Sequence, residues 1–475
     1  MTRVKNGIKT FRGKLEEITY NFNSLNLWFL AFLFPIFLHL TIFAPSTKII
    51  WALTFLALFV YLLLIKPKVL ILALVLVCFY VAIIIQKELI NVTNYPDEEY
   101  MIKGKVIKAS EKYFLIQIGN KNVLVFQNQF NTKDVVHYGY ILEVKGTLVD
   151  VKNSELNFEK TFLLQNDIKY FLKNSTIETI YRQSFSLEDK IHQYAKENGY
   201  YFQRYWRLMI FGEYDYRIDV LDKVNNLNII HLIVISGFHF DVLFLLLFWI
   251  CKPLKKLKVD PNKFVFVLAF FYLTFLNSPI SGLRAYIMQV VKKSNNKSKY
   301  KYYQKFKKYD GFCIALFIIF WLNFNNVFSI GFIMSFLNTL MIMFLYSFVQ
   351  KFKKLKKVYA ALIVGILVYL FALMFVFKIN KNWNIFALIF IFIFSPIIEF
   401  YYLCSILFWW SPTLLNYMYM ALDWLINLAL KISVIVKINF NIPWVVLILW
   451  TYLWFSSLCF IAYKKDKKIK QVILL

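Results

Sequence analysis

His231-Leu232-Ile233-Val234-Ile235-Ser236-Gly237-Phe238-His239-Phe240-Asp241 sets two histidines, a serine and an aspartate inside the apolar segment from Ile229 to Ile250. Hydrocarbon excludes such side chains unless they face protein or water, so the segment either lines something polar or is not a simple span. Gly237 permits a close backbone approach or a break in the helix, and Ser236 can satisfy carbonyls that a break sets free.

The setting of that stretch is overwhelmingly apolar. Of 475 residues, 60% are hydrophobic and 20% aromatic, mean hydropathy is +0.56, and the apolar residues come in long blocks. This excludes an ordinary soluble domain and defines a polytopic membrane protein. The formal net charge of +28 is read through its placement: 29 of the 55 basic residues cluster at 3–14, 66–68, 252–258, 292–308, 351–357 and 464–470, beside apolar blocks. Cytoplasmic loops carry such clusters, so the charge reports topology before it argues for a polyanionic partner. The five cysteines lie far apart without a CxxC pair, which indicates neither a disulfide framework nor a zinc site, and no metal or cofactor is expected.

Five segments follow. Residues 1–92 form a basic, cytoplasmic N-terminus and three membrane helices from the blocks Leu27 to Ala44, Ile49 to Ile65 and Val69 to Ile85, each close to the roughly 20 residues that cross a bilayer. Three crossings from a cytoplasmic start place residues 93–176 outside the cell. There, short runs rich in Val, Ile, Phe and Tyr (Ile102 to Ala109, Tyr113 to Ile118, Asn122 to Gln127, Ile141 to Val149) predict a small OB-like β-barrel, with Gly104 and Gly146 inside strands at expected bends or bulges. Tyr113, Phe114 and Phe126 could stack on bases, yet the module holds 11 lysines against 10 acidic residues, so a DNA-binding barrel and a purely structural one both stay open. Residues 177–226 read as an amphipathic linker, lying in the headgroup region or packed as a soluble helix on the barrel. Residues 227–463 form the main polytopic region, about 8 to 12 crossings in the whole chain, and 464–475 a basic cytoplasmic tail. Between the basic clusters at 252–258 and 292–308, the limb Ser278 to Met288 is too short and polar for a lipid-facing span, so a broken or re-entrant helix is expected. The fold class is thus a polytopic α-helical membrane protein with broken or re-entrant helices, plus an extracellular OB-like module.

Which chemistry does the focal stretch support? His231, His239 and Asp241 do not converge as His-x-x-x-His does, and Ser236 lacks the Gly-x-Ser-x-Gly context of a hydrolase elbow, so no catalytic residue is assigned. A polar lining and a polar helix-helix contact both remain. Arg284 is the sole arginine after Arg217, in a segment with Ser278, Ser281 and Gly282. A buried arginine needs a partner or water, and Asp241 is the acidic candidate for an intramembrane ion pair.

Three ordered motifs carry a resemblance. His231-Leu-Ile-Val-Ile-Ser-Gly-Phe-His239 looks like the His-Leu-Leu-Ala-Ile-Ser-Gly-Leu-His signature of the ComEC competence family, the membrane channel for DNA internalisation. Ser281-Gly-Leu-Arg284-Ala285 with Met288 resembles its Ser-x-x-Arg-Ala-x-x-Met segment, and Gly331-Phe332-Ile-Met-Ser335-Phe336 its Gly-Phe-x-Leu-Ser-Phe segment, with Asp310 matching before it. Asp241 stands where the family usually has a small residue, and Asn228 where glycine is frequent nearby. The metallo-β-lactamase-like domain of many relatives is not expected, since no His-x-His-x-Asp-His motif occurs.

The resemblance implies passage of single-stranded DNA across the cytoplasmic membrane, with His231, Ser236, Gly237, His239, Ser281 and Arg284 along the pathway. Implied partners are single-stranded DNA, membrane lipids, an extracellular DNA receptor, a cytosolic motor or strand-binding protein and a separate nuclease. A motor is required elsewhere because the chain has no Gly-x-x-x-x-Gly-Lys-Ser/Thr loop. The competing expectations are a transporter of a smaller anion, a degenerate structural relative, and an intramembrane enzyme built on His231 and His239.

Overall fold

A computed structural model describes residues 25–86, 98–109, 113–119, 121–126, 139–151, 160–181, 187–212, 219–258, 260–276, 280–296, 307–350 and 357–473. Ser278 and most of the lysine-rich 292–308 loop lie outside them. Among the described residues seven helices are long and apolar enough to cross a membrane, and three shorter apolar stretches accompany them.

At the N-terminal end a 3-10 turn, Leu27–Phe32, leads into α1 (Leu33–Phe43), followed by α2 (Lys48–Ile65) and α3 (Pro67–Ile85). The stretch Leu27–Phe43 is one of the shorter apolar ones; α2 and α3 reach full spanning length. Lys66-Pro67 separates them because proline fits the first turn of a helix, where its missing N–H costs nothing, but ends the one before it.

The barrel closes in the order β1-β2-β3-β5-β4, from β1 (Glu99–Ala109), β2 (Tyr113–Ile118), β3 (Lys121–Phe126), β4 (Ile141–Asp150) and β5 (Ile168–Tyr181). β3 and β5 run parallel and the other neighbours antiparallel. Strand alternation sends Val106, Phe114, Ile116, Val123, Leu142, Val144 and Leu172 to the interior. A Cβ on Gly146 would stand 2.7 Å from Leu172 Cδ2 and 3.0 Å from the Lys173 carbonyl oxygen, and the β4–β5 register shifts at that position. In β1 the shift falls between Val106 and Lys108, beyond Gly104. β5 runs past the expected boundary at 176.

Strands β2 and β3 are covered on their outer side as well. Leu115, Leu124, Ile168 and Phe171 form a second cluster under Phe162 and Leu163 of α4 (Lys160–Gln165). The next residue, Leu164, joins a different core with Val327 and Phe328, in the 3-10 turn Phe324–Phe328 of the helical region. One short helix therefore clips the barrel to the membrane domain, through the face by which OB-folds commonly hold oligonucleotides. The stacking expectation is corrected for Phe114, and the other two rings each have an aromatic neighbour within the protein. Phe114 is 0% exposed inside the barrel, Tyr113 packs edge-on against Phe162, and Phe126 edge-on against Phe171.

Three helices then lead inward: α5 (Leu187–Glu197), α6 (Tyr200–Phe211) and α7 (Val220–Asn226). In α6, Phe202 and every residue from Tyr205 to Ile210 are buried. They belong to the core shared with α15 (Ala387–Leu407) and α16 (Pro412–Ile432), so this aromatic and basic helix is a central packing element of the membrane domain. Between α7 and α15 lie α8 (Ile230–Ile233), α9 (Gly237–Cys251), α10 (Pro261–Leu273), α11 (Ile280–Asn296), α12 (Asp310–Leu322), α13 (Ile330–Gln350) and α14 (Lys357–Ile379). Strands β6 (Asn382–Asn384) and β7 (Ile435–Lys437) pair antiparallel, and α17 (Trp444–Ile473) ends the described chain.

Candidate functional site

The focal stretch is interrupted. Helix α8 lasts one turn, Val234 turns extended, and α9 starts afresh at Gly237 with Ser236 as its N-cap. The Ser236 N–H donates to His239 Nδ1 at 3.1 Å, and Ser236 Oγ lies 2.9 Å from the same nitrogen. Because Nδ1 accepts, the neutral ring carries its proton on Nε2. That atom is buried with no hydrogen-bond partner, and the ring stands edge-on to Tyr402, centroids 4.6 Å apart.

Helices α9 and α11 begin side by side. A Cβ on Gly237 would lie 3.6 Å from the Ser281 carbonyl oxygen and would collide with the Arg284 guanidinium; one on Gly282 would collide with the Phe240 ring. Farther along, Asp241 accepts from Gln289 at 2.7 Å and Lys293 sits 4.3 Å over the Phe248 ring. The numbers rise together along both helices, so they run in the same direction, with both N-termini at one level and Arg284 against Gly237. Glycine at 237 leaves room for this approach, since a side chain there would displace the tip of the arginine.

From there Arg284 reaches α13. Its Nη1 donates to the Ser335 carbonyl and to Thr339 Oγ1, and Thr339 Oγ1 donates to the same carbonyl at 2.7 Å. All three motifs thus meet at one guanidinium. Arg284 Nε and, on α13, Ser335 Oγ and Asn338 Oδ1 are buried without a protein partner, as is His239 Nε2, which belongs to the face of α9 that packs on Tyr402.

The expected ion pair is not made. Among the described residues Arg284 forms no salt bridge, and Asp241 is exposed and held by Gln289. The reason is direction: the guanidinium is drawn across to α13, while Asp241 shares the open side of α9 with Phe238, Leu245 and Trp249. Nor does His231 join the cluster; it lies exposed on α8. The structure brings together Gly237, Ser281, Arg284 and Ser335, while Ser236 and His239 bond to each other at the start of α9, with the His239 ring on Tyr402. Asn338 and Thr339 are additions that the sequence reading missed, although they share a helix face with Ser335 by the i, i+3, i+4 rule.

The remaining motif positions are architectural. Asp310 is 0% exposed and accepts from the Asn26 N–H at 2.8 Å and the Lys307 N–H at 2.7 Å, tying the N-terminal turn to the start of α12. Phe332 and Phe336 are buried with centroids 4.5 Å apart, and Ser329 caps α13 by accepting from the Phe332 N–H at 3.1 Å. Gly331 is exposed, with nothing within 4 Å of where a Cβ would stand. No group of three His, Cys, Asp or Glu side chains suited to a metal ion occurs among the described residues.

A helical domain with seven helices able to cross a membrane, and with an interrupted helix beside the half-buried Arg284, defines the class, and comparison with known proteins gives the family. The model of the family described as Competence protein matches residues 209–465, more than half of the chain. The chain belongs to that family, in line with its ComEC-like motifs. No curated protein and no solved structure matches it.

Proposed function

We propose that this protein is a DNA-uptake channel that passes a single strand across the cytoplasmic membrane. The observation that carries this reading is the meeting of the three motifs at Arg284, a cation that makes no salt bridge among the described residues and is held by a carbonyl and a hydroxyl of α13 against Gly237. A polyphosphate backbone suits such a site. Arginine forms charge-assisted bonds to phosphate oxygens, Ser236 and Ser335 offer hydroxyls, and the N-termini of α9 and α11 add N–H groups where anions are favoured. Phosphate contacts are indifferent to base sequence, as a conduit for any strand requires.

Arg284 keeps spare capacity for this role because Nη1 is held by α13 while Nε is not. The chain acts as conduit and not as catalyst, and any strand cleavage belongs to a separate nuclease. Carrying anions toward a negative interior costs about 2.3 kcal/mol per charge per 100 mV, so a cytosolic motor or strand-binding protein supplies the pull. The basic clusters orient the N-terminus and the 292–308 loop to the cytoplasm and leave the barrel outside, where α4 holds it as a fixed collar beside the domain. The test is internalisation of labelled DNA by cells carrying Arg284→Ala or His231→Ala at normal protein levels. Loss of uptake is expected; normal uptake in both sinks the proposal.

A further inference from the structure

Helix α8, which carries His231, has only four residues. One isolated turn does not hold its own orientation, so something else must. Toward α9 the chain is fixed by the Ser236 cap. At the other end stands Asn228, in the left-handed conformation at φ +59° and only 7% exposed. Asparagine tolerates that conformation better than most other side-chain-bearing residues.

The Asn228 carboxamide then does what glycine could not. Its Oδ1 accepts from the Asn384 N–H at 2.8 Å and its Nδ2 donates to the Asn382 carbonyl at 3.0 Å. In a strand, residues two apart offer backbone groups on the same edge, so one side-chain amide serves as a third strand beside β6 and β7. The other edge of β6 is occupied by the β7 segment, since the Ile438 N–H donates to the Lys381 carbonyl and the Ile385 N–H to the Val434 carbonyl. Return contacts complete the clamp: Asn382 Nδ2 donates to Asn226 Oδ1 at 3.0 Å, Asn384 Nδ2 to the Asn226 carbonyl at 3.2 Å, and Asn380 Nδ2 to the Asn225 carbonyl at 2.9 Å. Every member is a neutral amide that both donates and accepts, so the network is satisfied without burying charge.

We infer that Asn228 is a positioning residue, clamping α8 to β6 so that His231, three residues on, is held in a set place beside the interruption. Its consequence for transport rests on the conduit reading above; its geometry does not. Because β6 and β7 connect α14 to α15 and α16 to α17, the clamp also ties α8 to both helix pairs at once.

The test uses full-length protein in detergent carrying His231→Cys, with labelling by a small polar maleimide followed peptide by peptide. Adding Asn228→Gly, which accepts the backbone angle but removes the carboxamide, should change the rate at position 231 by at least about threefold through local loosening. Asn384→Ala should do the same by leaving the other side of the clamp incomplete. The double variant should change it no further, because both act through one contact. Labelling at the native Cys78 and Cys459, remote from the clamp, should stay constant, as should position 231 when Asn441→Ala breaks the nearby Lys378–Asn441 bond. An unchanged rate at 231, or equal changes at all three cysteines, overturns the positioning role. If labelling shifts as expected while Asn228→Gly, in a chain that retains His231, takes up DNA normally, the clamp stands and the place of His231 on the pathway falls.

Discussion

Two charged side chains of the helical domain, Asp423 and Arg284, are kept in opposite ways. Asp423 on α16 is 6% exposed and fully partnered: the Tyr205 hydroxyl donates at 2.7 Å, Lys223 Nζ at 3.2 Å and Asn427 Nδ2 at 2.8 Å. Burial first, and then the carboxylate, push the Tyr205 phenol far above its ordinary value, so it stays a donor. Lys223 is in turn bound to Asp219 at 3.1 Å, which Arg204 holds at 3.0 Å. Arg284 has a carbonyl and a hydroxyl, no anion, and an unpartnered Nε. A closed network is what architecture needs; a cation left open inside a protein is what a passing anion needs.

That contrast fails or holds first on stability. Asp423→Ala leaves the Tyr205 phenol without its acceptor and Lys223 with Asp219 alone, and breaking one side of a buried pair costs up to about 3–5 kcal/mol. Chemical unfolding of the purified protein should register that loss. Arg284→Gln removes a desolvated charge that Asp241 attracts only from beyond salt-bridge distance, so the unfolding midpoint should hold steady or rise. Should Arg284→Gln destabilise as much as Asp423→Ala, the arginine is one more structural tie and the distinction disappears.

Transport should show the opposite order. A hydrogen bond to a charged group contributes about 1.5–3 kcal/mol, so Arg284→Ala should lower DNA internalisation about 10- to 100-fold at equal protein level. Arg284→Lys should recover part of it, because an ammonium supplies the charge without the fork. Asp423→Asn, which keeps an oxygen for Tyr205, should leave uptake near normal in whatever protein folds.

Gly237→Ala approaches the same point from the backbone. Its Cβ would occupy the place of the Arg284 guanidinium, and such overpacking costs about 1–3 kcal/mol. Uptake should fall with it, and the double variant with Arg284→Ala should do no worse than Arg284→Ala alone, since the clash leaves with the arginine. Additive losses would mean that Gly237 serves some purpose other than making room.

How far this was legible in the sequence depends on the range of the interactions. Helix starts and the interruption are local: Ser236-Gly237 and Lys66-Pro67 announce themselves through capping and proline chemistry. Four strands could be read from β-rich runs, but β5 could not, because Lys173-Asn174-Ser175-Thr176 breaks its apolar pattern and Asn174 takes a left-handed φ of 52°. Arg284 stood out by rarity in an apolar setting, yet its partner was misjudged. A carboxylate is the obvious match for a guanidinium, and nothing in a string of letters says that a carbonyl on α13, 51 residues away, lies nearer. The covered barrel face had the same character. Whether Tyr113 and Phe126 meet bases or α4 is decided by the docking of Leu163 and Leu164 into two separate cores.

A third kind of polar contact, on the barrel surface, sets the lower end of the comparison. Glu143 is held below the usual carboxylate range first by the Thr179 hydroxyl at 2.7 Å and next by Lys103 at 2.9 Å, and the bond to Glu143 raises Lys103. Stability from a depressed carboxylate is present above its unfolded value of 4.5 and fades as pH falls through the folded one; that from the raised lysine is full below 10.5 and fades as pH climbs past its folded value. Melting curves of Glu143→Gln should therefore be flatter than those of the parent below pH 4.5 and indistinguishable at high salt, where exposed pairs are screened. Both groups face water, so the shift should be the smallest of those described. If it instead rivals that of Asp423→Ala, burial is not what ranks these contacts, and the open state of Arg284 loses its meaning as a mark of function.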